Sequence, residues 1–366
     1  MIKYIPHALL FTLATTLPAM TSLATFSAYA TTQETTVAAA QAHSTMIVEQ
    51  FGHPQNEGEI SRIISAGNPT DVLLMAIAPD KMLGFAGFDM QGPKAQLGGE
   101  PLFAPPLSQL PKLGKLSGRG STLSLETPLA MGAQLIIDVG STGESYRSSA
   151  KRVHEQTRIP YLLLDGSLSD TPQMLRELGH YLGLSERAEQ LALSAQAILT
   201  QAETYRLAHT DAPKRFFFAR SGNGLETGFA GSIHSEALEL LGLKNVAIAD
   251  NFTGISNVSM EQLVGWDPDM IITQDAQFYQ QLLTSPLWQS LRAVKEGHVY
   301  NAPIIPYGWL DGPPSLNRLL GVIWLQAKLE GTTSSEALKQ QVRDFYALFY
   351  HISLTDAQLA LLLDKQ

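Results

Sequence analysis

The chain contains no cysteine. That absence removes disulfides, thiolate metal ligands, iron–sulfur clusters, cysteine nucleophiles and acylation of an N-terminal cysteine together. Charge is also scarce, at 16% of 366 residues. The 25 Lys and Arg are outnumbered by 34 Asp and Glu, giving a net charge of −9 and a pI near 5.5. An acidic balance argues against nucleic acid or an anionic membrane as the main partner. Catalytic signatures are missing as well. There is no G-x-S-x-G, no H-E-x-x-H, no Walker A and no G-x-G-x-x-G following a strand. Beyond residue 30 the histidines stand at 43, 53, 154, 180, 209, 234, 298 and 351, with no i,i+4 pair. No catalytic residue and no ligand set for a bare metal ion is therefore assigned.

What is present is ample apolar material. The 45% hydrophobic content is enough to bury cores and excludes global disorder. The length suggests two domain-sized units. The N-terminus has the pattern of a secretory leader. Lys3 is the only charged residue before Glu34, Ala8 to Leu17 is apolar, and Ala28-Tyr29-Ala30 places small residues at −3 and −1 of a cleavage point. A transmembrane anchor is the rival reading, but Pro18 and seven Thr or Ser between Thr12 and Ser27 interrupt the apolar run. Cleavage after Ala30 removes 30 residues and the charge of Lys3, leaving 336 residues at −10. Residues 31–45 read as a flexible lead-in.

The remaining chain reads as two α/β lobes with helix between them. In the first lobe, residues 46–169, strands are expected at Met46-Ile47-Val48, Arg62 to Ser65, Lys81 to Ala86, Leu135 to Val139 and Tyr161 to Leu164. A helix over Pro69 to Ala76, with Asn68 as N-cap, follows the second. Such alternation predicts a largely parallel sheet. Residues 170–210 carry no strand pattern and predict a helix from Pro172 to Leu182 and a long one from Glu186 to Leu207. In the second lobe, 211–366, strands are expected at Arg215 to Ala219, Val246 to Ile248, Met270 to Thr273 and His298 to Tyr300. Helices are expected at Pro313 to Leu329 and Ser335 to Tyr350. A helical bridge between lobes is stiffer than crossing strands, so large hinge closure is not expected.

The two lobes repeat a pattern. Leu125-Glu126 leads to Leu135-Ile136-Ile137, and Met260-Glu261 leads to Met270-Ile271-Ile272, with ten residues from Glu to the first Ile in each. Each Glu falls in the first turn of its helix, where a carboxylate suits the helix dipole. Singly that is unremarkable; twice in register it marks a paired surface feature.

Two loops have binding character. Arg220 to Ser232 is glycine-rich, follows a strand and precedes a helix expected at Ile233 to Leu241, so its backbone could approach a ligand and Arg220 could pair with an anion. An ordinary βα loop and a surface ion pair are the plainer alternatives. His234 follows this segment. Ala302 to Ser315 is proline-rich and holds Tyr307 and Trp309 on a rigid loop. They either line a pocket or plug the core beneath the loop. Asn317-Arg318 could brace the helix that follows.

The order of Arg62 to Ser65, Leu125 to Ile137, Gly228 to Ala247, Met260 to Thr273 and Ala293 to Tyr300 resembles the periplasmic substrate-binding proteins of iron-siderophore, cobalamin, haem and molybdate ABC importers, the helical-backbone class. The Tyr307-Gly308-Trp309 to Leu320 segment is similar to an iron-complex branch. Met131-Gly132-Ala133-Gln134 departs from the Lys-Pro-Asp turn common there, as does the polar stretch Gly52 to Glu59 from the usual hairpin.

The resemblance implies an α/β fold of two Rossmann-like lobes with parallel-rich sheets, joined by a long α-helix, with the ligand cleft between them. It implies a monomeric periplasmic protein, without a resident cofactor, that hands its ligand to a permease dimer and its ATPase; the lack of cysteine means that no lipid anchor is expected. Glu126 and Glu261 fall on the permease-docking positions. A ferric siderophore or similar metal chelate is the first ligand expected, its charge suiting Arg220 and its bulk suiting Phe85, Phe229, Tyr307 and Trp309. Molybdate or tungstate, held around Asn68, Ser141 and the Gly228–Ser232 loop, is the alternative. Cobalamin or haem comes after these, haem with His234 or Tyr307 as axial ligand. An exported enzyme and a sensor subunit on the same fold are the readings from other classes.

Overall fold

The computed structural model describes residues 45–57, 59–118 and 120–363. The leader expected over 1–30 lies outside the described residues, as does the lead-in apart from Thr45. Residues 45–366 form one compact unit. Among the described residues, no helix is long and apolar enough to cross a membrane.

The first lobe is built on β1 (Ile47–Phe51), β2 (Ile63–Ser65), α1 (Asn68–Ile77), α2 (Glu126–Ala130), β3 (Leu135–Gly140), α3 (Glu144–Thr157) and β4 (Tyr161–Asp165). Its sheet has the order β1-β4-β3-β2. β2, β3 and β4 run parallel, with Ile63 opposite Leu135 and Ile136 opposite Tyr161; β1 runs antiparallel along the edge. β3 is buried at every position, as expected of a central parallel strand covered on both faces. Two helices follow, α4 (Thr171–Tyr181) and α5 (Ser185–Ala208). α5 buries a line of small residues, Ala188, Ala192, Ala195 and Ala202, with Leu191 and Ile198.

The second lobe holds β5 (Arg215–Ala219), β6 (Glu226–Gly228), α6 (Glu236–Glu239), β7 (Lys244–Asn245), β8 (Ile255–Asn257), α7 (Met260–Trp266), β9 (Met270–Thr273), α8 (Ala276–Thr284), α9 (Arg292–Lys295) and β10 (Val299–Asn301). Its main sheet, β10-β9-β5-β7, is parallel throughout. β6 and β8 pair separately as an antiparallel ribbon. The chain closes with α10 (Asn317–Glu330), α11 (Glu336–Tyr350) and α12 (Asp356–Leu363). α10 packs on α5, and α11 returns to pack on α1 of the first lobe. One hydrophobic core consequently runs through both lobes.

Several sequence expectations shift. Gly67, not Asn68, is the N-cap of α1, and Asn68 and Pro69 open the helix. Lys81 to Ala86 makes only the single bridges Ile63–Met82 and Phe85–Lys112, because the buried Asp71 carboxylate takes the N–H groups of Ala86, Gly87 and Phe88 at 2.7, 2.9 and 3.1 Å. The strand expected at Val246 to Ile248 pairs two residues earlier. The helix expected at Ile233 to Leu241 contracts to α6, since Ser232 and Ser235 turn their hydroxyls onto nearby backbone. α10 starts at Asn317 rather than Pro313; the Ser315 hydroxyl is engaged by the Pro69 carbonyl of the other lobe at 2.7 Å.

Arg318 is the tie between the lobes. It is 1% exposed, and its Nη2 donates to the Gly166 carbonyl of the first lobe at 2.6 Å. Its Nη1 donates to the Ile233 carbonyl at 2.6 Å and the Glu236 carboxylate at 2.8 Å. Glu236 also accepts the backbone N–H of Leu168 at 2.8 Å. Removing one member of a buried, hydrogen-bonded ion pair leaves its partner charged and unpaired, which costs about 3–5 kcal/mol. Arg318→Ala is expected to lower the unfolding free energy by about that amount in urea titrations. Arg318→Lys should recover little of it, because an ammonium cannot span the same forked set of acceptors.

Candidate functional site

The carboxyl ends of β2 and β3, the start of α1 and the loop after β5 converge on a cleft between the lobes. Ligands of open parallel sheets bind beyond the strand ends for this reason. The cleft has a volume of about 290 Å³. The first lobe contributes Gly67, Asn68, Lys115, Ser117, Asp138, Ser141 and Tyr146, and the second contributes Arg220, His234, Ile255, Asp311 and Gly312. Gly87 makes room for Asn68, since a Cβ there would lie 1.9 Å from Asn68 Oδ1. Both α1 and α3 begin at the cleft wall, so two helix N-termini bias it toward negative charge.

The second-lobe wall is organised by Asp311, which is buried. Gln274 fixes its backbone, accepting from the Leu310 and Asp311 N–H groups at 2.7 and 2.8 Å. The Asp311 carboxylate lies 2.9 Å from Arg220 Nη2 and 3.1 Å from His234 Nδ1. Burial works to raise its pKa, but His234, Arg220 and the Gly312 N–H together hold it below the ordinary carboxylate value. Arg220 Nη1 is 3.6 Å from Glu226, beyond hydrogen-bond reach, and is buried without a hydrogen-bond partner. A buried guanidinium N–H left unpaired is costly, and here it lies in a cleft wall.

The first-lobe wall carries the opposite case. Asp138 is buried at the end of β3, with Oδ1 2.9 Å from the Ser117 hydroxyl and Oδ2 3.1 Å from the Tyr161 hydroxyl. Burial pushes its carboxyl up to about 6, although both hydroxyls pull the other way.

Of the ligand residues expected from sequence, Asn68, Ser141, Arg220 and His234 are together in this cleft. Phe85, Phe229, Tyr307 and Trp309 are not. Phe85 and Tyr307 pack on Phe88, with ring centroids 5.6 and 4.8 Å away. Trp309 is fully buried, donating Nε1–H to the Ile305 carbonyl at 3.1 Å. Phe229 is buried against Phe252. Phe88 and Tyr307 make the aromatic contact between the lobes, and Tyr307, with no surface on the cleft, is out of place as an axial ligand. The residues that sequence reading missed are Ser117, Asp138, Tyr146 and Asp311. Asp138 did carry a signal, an acid ending the apolar run Leu135-Ile136-Ile137.

Away from the cleft, Glu126 and Glu261 are both exposed in the first turns of α2 and α7. Three residues on in each helix an aliphatic side chain, Leu129 or Val264, is 50% exposed. The sequence repeat is thus a structural repeat of acid and apolar side chain.

A two-lobed α/β protein with a polar interlobe cleft belongs to the solute-binding class of folds. The periplasmic binding protein family matches residues 119–305, and the chain belongs to that family. An ABC transporter solute-binding protein from Sulfurospirillum deleyianum is 28% identical, with a TM-score of 0.75 over 85% of this chain and 97% of that one. The molybdate-binding protein MolA of Haemophilus influenzae is 30% identical over 152 residues, 40% of this chain. The Fe(3+)-citrate-binding protein YfmC of Bacillus subtilis is 35% identical over 74 residues, 19% of this chain. Those two matches span 42% and 23% of the lengths of the curated relatives. The solved structure of MolA with molybdate shares the fold, with a TM-score of 0.62 at 21% identity over 81% of this chain and 95% of that one.

A carboxyl raised from 3.8 to about 6 binds more protons folded than unfolded between those values, so its contribution to stability falls as pH rises. Asp138→Asn removes that titration. The variant is expected to gain about 1 kcal/mol on the wild type between pH 5 and 7.5 in parallel denaturant titrations.

Proposed function

We propose that this chain is a periplasmic solute-binding protein that captures a compact, oxygen-rich anion in the interlobe cleft and delivers it to an ABC permease. The observation that carries this reading is Arg220 in the cleft wall, a guanidinium flanked by Asp311 at 2.9 Å and Glu226 at 3.6 Å whose Nη1 makes no hydrogen bond among the described residues. Two helix N-termini, Asn68, Ser141 and His234 surround the same space. Its volume lies at the lower end of small-molecule sites, about 300–1,000 Å³. The case for a bulky ferric siderophore rested on four aromatics that belong to the core, and cobalamin and haem meet the same objection of size. Molybdate or tungstate is the preferred ligand, a choice supported by the similarity to MolA.

A small ferric chelate of the citrate kind is the second reading, favoured by one arrangement. The Nδ1 of His234 faces Asp311, as in imidazoles that bind metal through the other nitrogen. His234 Nε2 would then complete the coordination of a metal held by its own chelator.

Delivery to the permease would use Glu126 and Glu261. Paired charges, one on each lobe, orient a partner with two matching basic sites, and Leu129 and Val264 add apolar contact. The protein would act as a monomer, exported by its leader and free of a lipid anchor.

Native mass spectrometry with elemental analysis, on protein taken from its own periplasm, tests the ligand. Molybdenum or tungsten without organic mass is expected; iron with a small organic acid would favour the second reading, and a bound mass of several hundred daltons would overturn both. Arg220→Ala should weaken molybdate binding about 10- to 100-fold, as for loss of one charge-assisted hydrogen bond of about 1.5–3 kcal/mol. Glu126→Ala with Glu261→Ala should abolish uptake and leave ligand affinity unchanged; unchanged uptake would refute the docking role.

A further inference from the structure

The anion reading leaves one group unexplained, a carboxylate in the wall of an anion site. Asp138 lines the cleft and is 4% exposed. Among the described residues its two oxygens meet only hydroxyl donors, Ser117 from the loop before α2 and Tyr161 from β4. None of the ion pairs among the described residues includes it. On its own wall it shares the cleft with Lys115 and Tyr146, and across the cleft face Arg220, His234 and Asp311. Asp311 is already matched by Arg220 and His234. An ionised Asp138 would therefore set a negative charge that belongs to no ion pair against the ligand, on a side chain itself withdrawn from solvent. Lys115 on the same wall makes no ion pair with it, and Arg220 and His234 are both engaged by Asp311.

A single proton resolves the conflict. A protonated carboxyl is neutral and gains an O–H donor, which can point to a ligand oxygen while the hydroxyls of Ser117 and Tyr161 stay in place. An anion that already carries a hydrogen could supply that proton to the shared hydrogen bond. One that carries none must draw it from solvent. We propose that Asp138 couples anion capture to a proton, so that a fully deprotonated oxyanion binds with net uptake of one proton placed between Asp138 and the ligand. This rests on the anion reading and extends it, since Asp138 then selects against unprotonated anions as pH rises. The two cleft carboxyls divide the work, Asp311 staying ionised to hold Arg220 and His234, and Asp138 taking up the proton. Environments that drive neighbouring carboxyls apart in this way assign their roles.

The test uses molybdate, which bears no proton at neutral pH. Calorimetric titration of the full exported chain at pH 7.5, in buffers of differing ionisation heat, should give about one proton taken up per molybdate. Affinity should fall about tenfold per pH unit between pH 7 and 9. Asp138→Asn should bind with no proton uptake and a flat profile, and more tightly than wild type at pH 8.5. His234 is the other group that could take up a proton, so His234→Gln should retain the uptake. A wild-type titration without proton uptake would overturn the proposal, and so would uptake that persists in Asp138→Asn or disappears in His234→Gln. Absence of uptake in the wild type or in His234→Gln overturns the proposal even where Asp138→Asn fails to fold. Failure of wild type to bind molybdate, tungstate or citrate at either pH 6 or pH 8.5 would instead overturn the anion reading itself.

Discussion

A buried guanidinium holds the two lobes in register, and the cleft exists because it does. Arg318 reaches from the start of α10 to the end of β4 on one side and to the head of α6 on the other. It fixes the floor on which Arg220, His234 and Asp311 stand opposite Asn68 and Asp138. The aromatic contacts of Tyr307 with Phe88 and of α11 with α1 continue that floor into a shared core. Separating the lobes would expose this apolar surface and strand the Arg318–Glu236 pair. A cleft of nearly fixed width follows, which suits recognition by preplaced donors better than by closure around the ligand.

Within that frame the electrostatics are asymmetric. Helix N-termini, Lys115, the Arg220 guanidinium and an imidazole favour negative charge, while two carboxylates oppose it. Asp311 is turned to advantage because it orients the cationic groups and is neutralised by them. Asp138 has no such partner and has burial working against its charge. An anion-binding wall that contains an uncompensated acid is selective about protonation as well as about shape.

The sequence made most of the architecture legible. Strands with apolar runs such as Leu135-Ile136-Ile137 and Met270-Ile271-Ile272 read as central parallel strands and are so. The long helix at Ser185–Ala208 matches its expectation to within a residue at each end. Errors arose where side chains capture backbone groups. Asp71 takes the N–H of Ala86 and those of the next two residues, ending the strand expected at Lys81 to Ala86, and Ser232 and Ser235 shorten the helix after them. Half of the expected ligand residues line the cleft. Arg220 and His234 were readable because they follow a strand end. Tyr307 and Trp309 were not, because an aromatic on a rigid loop serves equally as a pocket wall or a core plug, and only the tertiary contact with Phe88 and Ile305 separates the two. Asp311 gains its role from residues 77 and 91 positions away, which no local pattern reveals.

Arg220 is the cation on which anion capture in this cleft depends. A crystal of the protein soaked in molybdate, with data collected at the molybdenum absorption edge, tests it most directly. The account predicts one strong anomalous peak in the interlobe cleft, its oxyanion within hydrogen-bond reach of Arg220 Nη1 and bordered by Asn68 and Ser141. A saturated crystal with no peak in the cleft, or with the oxyanion bound there away from Arg220, would contradict it.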